Sequence, residues 1–113
     1  GAAVAQSLKA AREAFLSVVD FMVAHGRSDP NAAYAGSVPY LMLTGNLVAG
    51  WQMARALLVA QELHAKGEDA AFMQAKITTA RFYADHILSK VPGVASSITQ
   101  GAGSVTEMAL EAF

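Results

Sequence analysis

The stretch Gly36–Trp51, GSVPYLMLTGNLVAGW, decides the fold. It has the apolar density of a helix, yet it contains one proline and three glycines. Three readings compete for such a segment: a membrane span, a cofactor loop, or a core helix pressed close to its neighbours. The region from Pro30 to Ala54 contains no Asp, Glu, Lys or Arg, and about twenty apolar residues suffice to cross a bilayer. Pro39, Thr44, Asn46 and Gln52 interrupt it, however, and basic residues do not gather at one end. A core helix is therefore expected. Glycine costs up to about 1 kcal/mol in a helix interior, a loss recovered where small residues let backbones approach. Gly45 and Gly50 are accordingly expected to mark close helix crossings.

Outward from this segment the pattern is helical throughout. Tyr40, Thr44, Leu47, Trp51, Ala54, Leu58 and Gln61 keep the alternating 4-3 spacing of one helix face. Leu41, Leu43, Val48, Leu57 and Val59 widen the apolar surface, so this helix, Val38 to Lys66, is expected to be buried on every side. Gly67 is its stop. Ser37 is expected as its cap, with Pro39 in the first turn, where a missing N–H costs little. A single helix from Asn31, kinked at Pro39, is the alternative. Upstream, Asp29 and Pro30 suit the cap and first position of a short helical piece, Pro30 to Ala35.

Val4, Leu8, Ala11, Phe15, Val18 and Met22 define a first helix from Ala3 to Ala24, stopped by His25 and Gly26. Met73, Ile77, Ala80, Ala84, Ile87 and Val91 define a third from Asp69 to Lys90, ended by Pro92-Gly93, with an Arg81–Asp85 pair on its surface. The tail, Val94 to Phe113, reads as two short helices parted by Gly101-Ala-Gly103, the second opened by a capping box of Ser104 and Glu107. No segment alternates with period two. The expected fold is all-α: one domain over residues 1–113, an up-down bundle of three main helices with short helical segments near Pro30 and in the tail.

Composition narrows function by exclusion. The chain has 113 residues, 54% apolar and 15% charged, with a formal net charge of −1 and no cysteine. A nucleic-acid partner would lack its basic footprint, and disulfides, thiolate metal sites and thiol catalysis are ruled out. No leader is legible, and the expected location is cytoplasmic. Sparse charge points to surface meant for a partner. His25, His64 and His86 are too far apart in sequence for a helical metal pair, so no metal site is expected. His86 with Phe82 and Tyr83, or Trp51 with those two rings, could line a pocket. Asn46 and Gln52 need partners if buried, either a neighbouring backbone or a second molecule. No nucleophile elbow surrounds a serine, and Gly101-Ala-Gly103 follows no strand and lacks the third glycine of a dinucleotide fingerprint. No catalytic residue is assigned, and cofactor-binding residues are left unassigned.

Three segments carry a resemblance. DPNAAYAGSVPYLMLTG (Asp29–Gly45) with Gly50-Trp51, RFYADHIL (Arg81–Leu88), and GAGSVTEMALEAF (Gly101–Phe113) are similar to the C-terminal domain appended to one branch of the acyl-CoA dehydrogenases. That branch includes enzymes of the 3-methylmercaptopropionyl-CoA type. The resemblance implies a helical domain that follows a flavin-binding core in the same polypeptide, a homo-oligomeric parent, FAD as the parent's cofactor and an acyl-CoA as its substrate. It places the FAD site and the catalytic glutamate in the preceding domains, and Glu107 and Glu111 match no base motif. It therefore implies an accessory role, supporting assembly and the acyl-CoA entrance. An independent helical dimerisation module and a ligand-binding bundle are the competing functions.

Overall fold

A computed structural model describes residues 1–113, and it contains helices and no strands. Helix α1 spans Ala2–Ser28, α2 Pro30–Ala35, α3 Ser37–Ala65, α4 Ala70–His86, α5 Val91–Gln100 and α6 Ala102–Thr106. Single 3₁₀ turns lie at Leu88–Lys90 and Leu110–Ala112.

The first helix runs past the expected stop. Gly26 sits in open space on an exposed turn, and the ladder continues until the Asp29 N–H bonds His25 O at 2.9 Å. Proline makes the real end: it disfavours helical geometry in the residue before it, and Asp29 leaves the helical region at φ −146°, ψ 75°. The Asp29 side chain then accepts from Ala32 N at 3.4 Å, capping α2 as its sequence suggests. The separate restart of α3 is also as expected, but Ser37 is not its cap. Gly36 holds that position, and the Ser37 hydroxyl turns back to donate to Tyr34 O at 2.9 Å.

At the far end, Gly67 takes φ +74° and stops α3, with Glu68 N donating to Leu63 O at 3.0 Å. The next rod differs from its expected form. It breaks at Ile87, passes through the Leu88–Lys90 turn and resumes as α5. Pro92, placed above as the terminator, lies in the first turn of α5. It has no N–H to give the Leu88 carbonyl four residues back, so the ladder tightens ahead of it. The expected capping box is likewise absent. Ser104 lies inside α6 and its hydroxyl donates to Gly101 O at 2.9 Å.

Three rods result, because α4 and α5 act as one broken rod. Phe15 stacks on Tyr40 with ring centroids 6.0 Å apart, and Val4 shares a shallow cleft with Leu57 and Ile77. At the opposite end Gly36 lies against Met22 and Ile98. These three contacts make α1 antiparallel to α3 and parallel to α4–α5. Beyond Leu57 and Ile77 the α3–α4 hairpin runs on past the start of α1. The core is one thin seam: Val4, Ala11 and Val18 from α1, Leu43 and Leu57 from α3, and a row from Ala80 through Leu88 to Ile98.

The assembly is long and flat, 66 × 28 × 17 Å, with a radius of gyration of 18.3 Å. A compact chain of this length has about 13 Å. Only 16 of 113 residues are buried. The expectation that α3 is covered on every side therefore fails for this chain alone, and the uncovered side defines the candidate site.

Candidate interaction surface

Helix α3 carries two apolar stripes rather than one broad one. Leu43, Leu47, Gly50, Ala54 and Leu57, spaced 4-3-4-3, face the other rods, and all are buried or half-buried. Leu41, Thr44, Val48, Trp51, Arg55 and Leu58, spaced 3-4-3-4-3, lie on the adjoining flank, turned about a third of the way round the helix. On that second stripe Leu41 is 70% exposed, Val48 50%, Trp51 51% and Leu58 66%. Both spacings suit helix packing, and only the first is covered along its length within residues 1–113; the second meets α1 and α4 at its edges alone. Trp51 and Leu58 thus leave the face on which 4-3 spacing alone places them.

Two grooves flank the outer stripe. One, of about 310 Å³, runs between α1 and α3 with Leu8, Phe15, Leu47 and Trp51 on its walls and Arg12 at its rim. The other, of about 640 Å³, runs between α3 and α4 beside Leu58, Val59 and Phe72, with Arg55 and Lys76 at its edge. The cations lie on the rings: the Arg55 guanidinium is 5.3 Å from the Trp51 centroid, and Lys76 Nζ is 5.5 Å from Phe72. Arg55 also donates to Gln52 Oε1 at 3.3 Å, so Gln52 is an exposed side chain with a local partner. The ion pairs of the chain lie elsewhere, Lys66 with Glu62 and Arg81 with Asp85, each at 3.1 Å.

The other sequence candidates do not converge. Phe82 points outward and tilts over His86, centroids 4.7 Å apart, while Tyr83 turns inward and donates to Asn46 O at 2.8 Å. Neither lines the groove that holds Trp51. His25 stacks on Phe21 at 4.2 Å, and no three potential metal ligands come together. No helix is long and apolar enough to cross a membrane. Gly45 has open space around it and marks no crossing, whereas Gly50 does. Sequence reasoning found the outer stripe's residues but read them as core. The clash between two complete 4-3 registers on one helix was the available signal.

The Gly101-Ala-Gly103 segment does not form a phosphate cradle: the Gly101 N–H is given to Ser97 O at 2.9 Å, and the Glu107 carboxylate beside Gly103 would repel a pyrophosphate.

The chain is similar to known proteins over most of its length. The family model described as acetyl-CoA dehydrogenase C-terminal like matches residues 1–109. A 3-methylmercaptopropionyl-CoA dehydrogenase of Ruegeria pomeroyi is 47% identical over 107 residues, 95% of this chain but 18% of that protein's length. No solved structure matches. The match of one family model to residues 1–109 of this flat helical layer identifies its class: this chain belongs to the acetyl-CoA dehydrogenase C-terminal-like family, a C-terminal domain of acyl-CoA dehydrogenases.

Proposed function

We propose that residues 1–113 are a single accessory domain of an FAD-dependent acyl-CoA dehydrogenase. It packs on the flavin-binding core of the same cytoplasmic polypeptide, supports homo-oligomer assembly and borders the acyl-CoA entrance. The observation that carries this reading is the outer stripe of α3. A chain of 11.8 kDa folded compactly exposes about 5,900 Å², and this one exposes 7,349 Å². The surplus, on the order of 1,400 Å², exceeds the roughly 800 Å² that each partner contributes to a standard interface. Flavin chemistry and the catalytic base belong, in this reading, to the remainder of the polypeptide.

The test is deletion. The dehydrogenase whose coding sequence contains this domain is prepared with and without residues 1–113. Subunit number, bound FAD, melting temperature and kcat/KM on short acyl-CoAs are then compared. Loss of assembly or of FAD retention is expected. A truncated enzyme with unchanged assembly, flavin content and substrate range rejects the proposal.

A further inference from the structure

Resting on that reading, we infer that the outer stripe of α3 seats a helix of the dehydrogenase's own remaining polypeptide. That helix is apolar along its centre and presents carboxylates to Arg12, Arg55 and Lys76. The stripe's geometry sets the shape of the occupant. Leu41, Val48, Trp51 and Leu58 recur at helical spacing along about 25 Å of rod, and a second helix is the element that follows such a ridge continuously. Trp51, half-exposed at the centre with Phe15 and Leu47 beside it, is the kind of aromatic anchor on which interface energy concentrates.

Charge sets the chemistry of the occupant. Arg12, Arg55 and Lys76 rim this face, and none of them is ion-paired, while Glu62 and Asp85 are already engaged by Lys66 and Arg81. An apolar helix without acids would strip water from these cations and return nothing. A second copy of this domain answers poorly, because no Asp or Glu occurs from Pro30 through Gln61. Two outer stripes laid together would match hydrophobe to hydrophobe and leave each Arg55 opposite Leu, Thr or Val. Chain length favours the same choice, since this domain spans 18% of its curated relative and most of such a polypeptide lies outside it.

The experiment uses the full-length dehydrogenase. The domain has no cysteine, so Val48→Cys places one thiol on the stripe, and Leu58→Cys provides a second position if the first misfolds. Maleimide labelling of the peptide that carries it is followed by mass spectrometry, native against denatured. A native rate at least about tenfold slower is expected. Arg12→Glu with Arg55→Glu should restore most of the lost rate while helix content is unchanged. Labelling at the denatured rate overturns the inference. A photoreactive maleimide on the same thiol, in a mixture of ¹⁴N and ¹⁵N protein, then identifies the neighbour. Cross-links to an acid-bearing helix outside residues 1–113 of a dehydrogenase polypeptide support it. Cross-links joining two copies of this domain, or to an unrelated protein, overturn it. If deletion leaves assembly intact yet Val48→Cys stays protected, the docking stands and the assembly role falls.

Discussion

Gly50 of α3 lies beneath the side chain of Leu88: a Cβ built on the glycine would stand 2.6 Å from Leu88 Cδ2 and 2.9 Å from Cδ1. Leu88 is 1% exposed and stands in the middle of the core row. It is brought there by the 3₁₀ turn that Pro92 forces between α4 and α5. One proline, one turn and one missing side chain therefore act together. The broken rod tips Leu88 toward α3, and α3 gives it room.

Gly50→Ala and Gly45→Ala should consequently shift stability in opposite directions. Both replacements gain up to about 1 kcal/mol of helix propensity. At Gly50 the new methyl overlaps a leucine with nowhere to swing, and overpacking of this kind costs about 1–3 kcal/mol. At Gly45 nothing lies within 4 Å and the gain is kept. Urea unfolding followed by circular dichroism should show a lower midpoint for Gly50→Ala and a higher one for Gly45→Ala. Equal shifts would mean that the helix crossing at Gly50 is not as close as described.

The same pair of glycines shows what sequence carries and what it leaves open. Helix identity was legible, because 4-3 spacing and the Asp29-Pro30 and Gly67 signals are local. Burial was not, because two stripes on one helix look alike until the neighbours are placed. Gly45 and Gly50 are indistinguishable in sequence, and only the position of Leu88 separates them. The Ile87 break was missed because Pro92 acts backward on the turn before it. Ser37 and Ser104 have the composition of caps, yet each hydroxyl turns back to a carbonyl three residues earlier. The candidate surface was legible as a surplus of apolar residues and a deficit of charge, but not as a location.

Alkaline pH should loosen the α3–α4 contact through Tyr83. Burial raises its phenol above the ordinary value of 10.0, and the hydroxyl donates to Asn46 O at 2.8 Å, a bond available only to the protonated form. The folded state thus holds this proton more tightly than the unfolded chain does. Its contribution is full below pH 10.0 and is lost as pH rises through the higher folded value. Tyr83→Phe should cost about 0.5–1.5 kcal/mol at neutral pH and should flatten the loss of stability above pH 10.0 relative to the unmodified chain. Parallel pH profiles for the two proteins would contradict this account.

Leu43 is turned into the core seam of α3 and Trp51 stands at the edge of its uncovered side, and the two should respond to truncation in opposite order of size. Leu43 is 1% exposed and lies in the core seam, so Leu43→Ala should cost about 2–5 kcal/mol. Trp51 is the larger side chain, and by bulk alone it would be the more expensive loss. Here it is 51% exposed and contacts chiefly the groove wall and the Arg55 guanidinium. Trp51→Ala should therefore cost only about 2 kcal/mol in this chain, less than the roughly 3–5 kcal/mol of a buried tryptophan. In the full-length dehydrogenase the same substitution should cost at least twice as much, because the ring is then enclosed, while the cost of Leu43→Ala stays nearly constant. Urea midpoints for both variants in both contexts measure the difference. A Trp51→Ala penalty that is the same in the two would place the ring in solvent even in the assembled enzyme, and would remove the outer stripe as an interface.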